Sequence, residues 1–346
     1  MLKEAKRLLL RTAKTAGLYS LVGRSRWRTS RLLILGYHGI SLNDEHLWNP
    51  SLYFSQPALF SRMNDLAECN CNVLGLQDAL DKLENGTLPE RAVAITFDDG
   101  TYDFIARAYP VLKQFNYPVT VYQTTFYCSH QHPVFHGISS YILWKGRDYA
   151  IDGREFTGVP GKLNLGAKED RDLIALRIWQ YADAEKMSVL AKNHLVERLA
   201  LQLGVDFQRS LDQRIIHLMN PRELAQLAQD GVDIQLHTHR HRTPRDRTLF
   251  LREIEDNRNF LRQVAPLSLN QFCYPSGDYD MRFLPWLESV GVESAVTCDP
   301  GFVEKTTNPL ILPRLIDTSS LSSTEFRGWL CGLSQFLPRR STARQF

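Results

Sequence analysis

The strongest constraint on this chain is a rhythm. Apolar runs of five to eight residues alternate with longer stretches of helical period. Strands are expected at 32–38 (LLILGYH), 92–99 (AVAITFDD), 118–125 (PVTVYQTT), 232–237, 271–275, 293–299 and 311–317. Helices are expected at 76–86, 102–116, 221–231, 245–265, 279–291 and 323–333. Asn220 reads as the N-cap of the helix at 221–231, with Pro221 in its first turn and Gly231 as its stop. Runs without polar alternation are strands buried on both faces, which belong to parallel sheets covered by helices. The expectation is therefore an α/β fold of βα units around a mainly parallel sheet, open or closed into a barrel.

Residues 133–218 break the rhythm. A polar, glycine-marked piece at 148–166 predicts a hairpin, and 168–204 reads as helical. This stretch is expected to be an insertion that caps the barrel mouth or covers one side. Its Trp144, Trp179 and Tyr181 can serve as core residues or as sugar platforms.

Composition narrows the class. Apolar residues make up 43% and charged residues 23%, a globular balance. The net charge is only +3, and no nucleic-acid reading motif is present, so no nucleic-acid partner is expected. Residues 1–31 hold nine Lys or Arg against Glu4 alone, a local charge of +8. We divide the chain into a basic N-terminal leader helix (1–30), a catalytic domain (31–335) and a basic C-terminal tail (336–346). The longest early apolar run, Leu8-Leu9-Leu10, ends at Arg11 and is too short for an export signal. A cytoplasmic protein is expected, with peripheral contact between the basic leader and an anionic inner membrane face. The six cysteines, Cys69, Cys71, Cys128, Cys273, Cys298 and Cys331, contain no CxxC pair and read as buried free thiols.

Polar clusters fall at the ends of expected strands: Tyr37-His38, Asp98-Asp99-Gly100, His237-Thr238-His239-Arg240-His241 and Tyr274-Pro275-Ser276-Gly277-Asp278. Parallel α/β folds build their sites at the carboxyl ends of strands. Asp98 and Asp99 are either a turn that ends a strand or two carboxylates that a bend at Gly100 aims into one cleft. A cation held by one would leave the other free as a base. His237 and His241, with one carboxylate, make a set that holds a divalent metal and leaves positions open. Otherwise they belong to a solvated basic loop.

Thr96-Phe97-Asp98-Asp99-Gly100 and His237-Thr238-x-x-His241 resemble the first two motifs of the polysaccharide deacetylase family, the NodB-homology or family 4 carbohydrate esterases. Cys273-Tyr274-Pro275-Ser276-Gly277 is similar to an F-x-Y-P-x-G variant of the third. The resemblance runs from about Leu32 to about Leu333. It implies a distorted (β/α)7 barrel with a helical insertion, and removal of N-acetyl groups from an N-acetylated carbohydrate substrate. It also implies Asp98 as catalytic base, and Asp99, His237 and His241 as ligands of a divalent metal, usually Zn2+, with other divalent ions possible. Ser276 would offer its backbone N–H to the oxyanion, with Tyr274, Pro275 and Gly277 beside the substrate.

Two departures stand out. Cys273 replaces the arginine of the third motif, and Arg314 could supply that guanidinium. The late Leu-x-His motif is missing, since His241 is the last histidine. His38, in Gly36-Tyr37-His38-Gly39, is similar to a subgroup with permuted motif order and becomes the expected general acid. The rival readings are a metal-dependent hydrolase of another amide or ester on the same fold, and a non-catalytic carbohydrate-binding relative.

Overall fold

The structure, a computed structural model, describes residues 2–130 and 132–337, so most of the expected C-terminal tail lies outside the described residues. Eight parallel strands make one sheet: β1 Leu33–Tyr37, β2 Asn72–Leu74, β3 Ala92–Phe97, β4 Thr120–Gln123, β5 Asp233–Leu236, β6 Gln271–Cys273, β7 Ser294–Val296 and β8 Leu315–Ile316. Hydrogen bonding follows the order β7-β6-β5-β4-β3-β1-β8, and β2 pairs with the first half of β3. The two ends of this path meet. Val296 bridges Leu312 in parallel; Leu312 N–H donates to Ala295 O (2.8 Å) and Thr297 N–H to Leu312 O (2.9 Å). The result is the expected distorted barrel, seven strands round the ring. Its seam is thin for a chemical reason. The expected strand 311–317 is a 3-10 turn at Pro309–Ile311 and then two residues of strand, because Pro313 has no N–H to give a ladder.

Alternation along each strand sorts the side chains. Leu32, Ile34, Ala92, Ala94, Tyr122, Cys273, Val296 and Leu312 fill the barrel. Leu33, Leu35, Tyr37, Val93, Ile95, Phe97, Phe272 and Tyr274 face outward into the layer beneath the helices. A separate core belongs to the inserted segment, where Ile138, Ile142, Phe156, Ile178, Val196 and Leu199 pack together. The hairpin there pairs Ala150–Asp152 with Lys162–Asn164. The helical stretch is two helices, Lys168–Ala184 and Val189–Gln202. Both ends of the segment are pinned at the barrel mouth. Phe126 N–H donates to His239 O (2.7 Å), and Tyr102 N–H to His217 O (2.8 Å).

Other boundaries shift. The helix expected at 102–116 contains a π-turn, Phe104–Ala108, and that at 279–291 contracts to Phe283–Glu288. The leader is three helices, Leu2–Thr15, Leu18–Gly23 and Arg26–Thr29, rather than one. Arg28 is fully buried, donating to Leu330 O (2.8 Å) and Ala92 O (3.3 Å) at the amino end of β3. The cysteines are all free, but Cys69, Cys71 and Cys298 are only half-buried.

An ionic cluster clamps the seam from outside. Arg62, on the helix Gln56–Glu68, donates to Asp317 just past β8 (2.7 Å) and to Leu321 O (2.5 Å). Tyr37 O–H donates to Asp317 (3.2 Å), and Arg327 to Asp65 (2.7 Å). A buried pair adds little net stability, but removing one partner strands the other charge. Arg62→Ala should therefore cost about 3–5 kcal/mol in urea unfolding. A loss under about 1 kcal/mol would show that the seam does not depend on it.

Buried Asp103 accepts from Ile40 N–H (2.9 Å) and ties down the short strand Gly39–Ile40. Burial outweighs that hydrogen bond and pushes its carboxyl up to about 7. A carboxyl raised on folding gives stability that is complete below its unfolded value and lost as pH rises through its folded one. Asp103→Asn should therefore flatten the fall in melting temperature between about pH 4 and 7. Parallel curves for the two proteins would refute this.

Candidate active site at the barrel mouth

β3 continues its alternation into Asp98, so Thr96 and Asp98 both face the barrel interior. Arg314, just before β8, meets Asp98 there. Its Nη1 donates to Asp98 Oδ1 and its Nη2 to Asp98 Oδ2, both at 2.7 Å. The guanidinium also donates through Nε to Thr297 O (2.9 Å) and through Nη1 to Thr96 Oγ1 (2.9 Å). Gly36 leaves the room: a Cβ there would lie 2.5 Å from Ile316 Cδ1 and 3.4 Å from Arg314 Nη1. Cys273 Sγ donates to Asp98 Oδ2 (3.4 Å). Burial alone would raise the Asp98 carboxyl; Arg314, then His38 and His237, outweigh it and hold it at about 2.

Asp99 would point outward if the strand ran on. Instead its φ is 70° and that of Gly100 is 72°, which turns the carboxylate back over the mouth. The bend thus begins at Asp99 itself. Gly100 has no alternative, because a Cβ would lie 1.8 Å from Gln123 Oε1. His237 continues the inward face of β5, and Thr238 and His241 adopt left-handed conformations (φ 62° and 53°) that fold His241 back beside it. Both Nε2 atoms lie 3.2 Å from Asp99 Oδ1. His239 points away, its Nδ1 2.8 Å from Thr125 Oγ1.

The donor set fits a divalent cation. The ligand atoms of Asp99, His237 and His241 lie within 4.8 Å of one another. His237 Nδ1 stands 2.8 Å from Cys273 O, a group that only accepts, so Nδ1 carries the proton. Its Nε2 lone pair then faces the Asp99 carboxylate, acceptor against acceptor, and a cation relieves this. Asp98, His237 and Cys273 also lie within ligating distance of one another. There, however, Arg314 occupies the carboxylate, and burial pushes the Cys273 thiol well up. The first set is the better cradle.

His38 leaves β1 on the interior side, its Nε2 3.8 Å from Asp98 Oδ2. Ser276 is exposed in a left-handed turn (φ 58°). With Pro275, His241, Thr243, Pro244 and Leu249 it lines a groove that starts at the histidines. Gly277 packs close to Cys298, leaving no space for a Cβ. Tyr274 is a correction. Alternation turns its side chain into the core, where its hydroxyl donates to Leu310 O (2.9 Å), so it presents no ring to a substrate. A larger cavity between Cys128–His130 and the chain around Arg214–Arg222 lies apart from these groups.

The inserted segment carries an aromatic pair. His136 is exposed and stacks on Trp179 at 4.4 Å, and Trp179 Nε1 donates to Ser139 Oγ (2.9 Å). Burial holds the His136 imidazole below its ordinary value, against the pull of the Asp183 carboxylate. Trp144 stacks on Tyr141 with Arg147 over its ring, and Tyr181 is half-buried. Sequence reasoning missed Asn257, which is fully buried. It accepts from His237 N–H (3.0 Å) and donates to Gln123 O (2.9 Å) and Thr125 Oγ1 (3.0 Å). Its signal was there: an asparagine on the apolar stripe Phe250, Ile254, Leu261 of a helix.

Residues 85–141 and 189–295 match the family model described as polysaccharide deacetylase. Among curated proteins none matches the chain. By fold it is similar to the Streptococcus pyogenes deacetylase PplD in complex with acetate (17% identity, TM-score 0.56, covering 90% of this chain and 100% of that one). It is also similar to IcaB from Ammonifex degensii (16%, 0.54, 87% and 97%). A third is a de-N-acetylase from Aggregatibacter actinomycetemcomitans (16%, 0.52, 84% and 97%). The matched segments hold Asp98, Asp99, His237, His241 and Ser276, and over them the chain is similar to the polysaccharide deacetylases.

Proposed function

We propose that this protein is a metal-dependent carbohydrate N-deacetylase, in which Asp98 is the base and His38 the acid. One observation carries the reading. At the barrel mouth a carboxylate locked by Arg314 adjoins a three-residue cation cradle, with His38 beside the base. Asp99, His237 and His241 would hold the cation, and two imidazoles with one carboxylate suit zinc. When bound, the cation supplies Lewis acidity, polarising the acetyl carbonyl and bringing water to a pKa of about 7.

The chain's own groups do the rest. Asp98 takes the proton of the attacking water, and Arg314 and Cys273 fix the direction in which its oxygens point. Held at about 2, it is a weak base that passes the proton on readily. The Ser276 N–H donates to the developing oxyanion. His38 gives a proton to the departing amine as the C–N bond breaks, leaving acetate and a free amino sugar. The His136–Trp179 pair offers an aromatic face, with Asp183 and Lys192 beside it for hydroxyls, to the sugar next to the one that reacts. The names of the similar structures, a deacetylase and a de-N-acetylase, agree with this chemistry.

The test is acetate release from N-acetylated oligosaccharides. Asp98→Asn and His38→Ala should each lose about 10²–10⁴-fold in kcat. Activity that survives Asp98→Asn would sink the assignment, and so would a rate flat across neutral pH. Trp179→Ala should raise KM about 3–10-fold for oligosaccharides, with kcat unchanged. Unaltered KM would remove the insertion from the substrate site. In calorimetry, Asp99→Ala should abolish stoichiometric zinc binding, and Asn257→Ala should weaken it about 10–100-fold. Full affinity in Asp99→Ala would move the metal elsewhere.

A further inference from the structure

The amino-terminal helices have one face with a partner and one without. Leu10 and Ala13 are buried, and Tyr19 O–H donates to Thr324 O (2.9 Å) on the helix Ser323–Leu330. The approach is close: a Cβ on Gly328 would lie 3.1 Å from Leu10 Cδ2. The other face is open. Leu8 is 66% exposed, Leu9 52%, Leu18 42% and Leu21 71%, so four large apolar side chains stand in water within fourteen residues. Elsewhere exposed apolar residues are more scattered, as surfaces allow. Arg11, Arg24 and Arg26 are exposed around the leucines, and no acidic residue occurs between Leu8 and Arg31.

We infer that this surface docks on an anionic lipid bilayer, leucines in the acyl boundary and arginines at the headgroups. Leucine interleaved with unopposed positive charge is what an interfacial helix needs. No described helix is long and apolar enough to cross a membrane, so the contact is one of lying on it. A nucleic acid would use the cations and leave the leucines wet; a second copy would bring +8 against +8. The following helix holds Arg28 against the amino end of β3, at the closed end of the barrel. The inference does not rest on the deacetylase reading.

The experiment is sedimentation of the whole protein with phosphatidylcholine vesicles, with and without phosphatidylserine. Binding should require phosphatidylserine and fade at high salt. Leu8→Ser with Leu21→Ser should abolish it at unchanged charge. Arg11→Gln with Arg24→Gln should weaken it by about 25-fold, about five-fold per charge. All these positions are exposed, and circular dichroism checks that each variant folds. Three outcomes overturn the inference: no binding to phosphatidylserine vesicles, binding indifferent to the leucines, or a concentration-dependent dimer in ultracentrifugation that the leucine variant abolishes.

Discussion

Inside the barrel one guanidinium meets one carboxylate with no water between them. Arg314 and Asp98 are each buried, and neither tolerates that environment alone. Much of the surrounding sequence serves the pair. Gly36 clears space for the guanidinium, Thr96 and Thr297 take two of its remaining protons, and Cys273 Sγ accepts the third while its own thiol donates to Asp98. An arginine at 273 would put a second cation where the first already sits. The departure in the third motif and the arginine before β8 are thus two halves of one arrangement.

Closure of the ring is what delivers Arg314 to that place. The seam is a single bridge at Leu312 and a two-residue strand, weak by hydrogen bonding alone. It is reinforced from outside by Arg62, Tyr37 and Asp317. The inserted segment adds a second core without disturbing this plan, because it leaves and returns at the mouth. Its last residues pair with Gly100–Tyr102, so the turn after Asp99 and the end of the inserted segment share hydrogen bonds.

The inner strands were legible because buried parallel strands advertise themselves as unbroken apolar runs, and the polar clusters at their ends marked the mouth. Local conformation was less legible. Asp99, Thr238, His241 and Ser276 are left-handed without being glycine, and nothing in their residue types announces it. The surrounding fold imposes the strain at the positions that aim side chains into the cleft. Tyr274 shows the opposite error: a motif position suggested substrate contact, whereas simple alternation from Cys273 would have sent it to the core. β2 escaped because it is three residues long and only partly buried; the helix Gln56–Glu68 does carry Leu59, Met63 and Leu66 at helical spacing, and that signal was passed over. Arg62 and Asp317, far apart in sequence, could not be paired without the ring.

The pairing of Asp98 with Arg314 spans 216 residues. As the chain emerges from the ribosome, β3 and its carboxylate are made 216 residues before the arginine. Until the seam closes, the barrel must hold an acid with no cation, so that acid stays protonated or hydrated and its strand loose. The Asp98 carboxylate therefore gains its buried counter-cation only after the strand that follows Arg314 has docked.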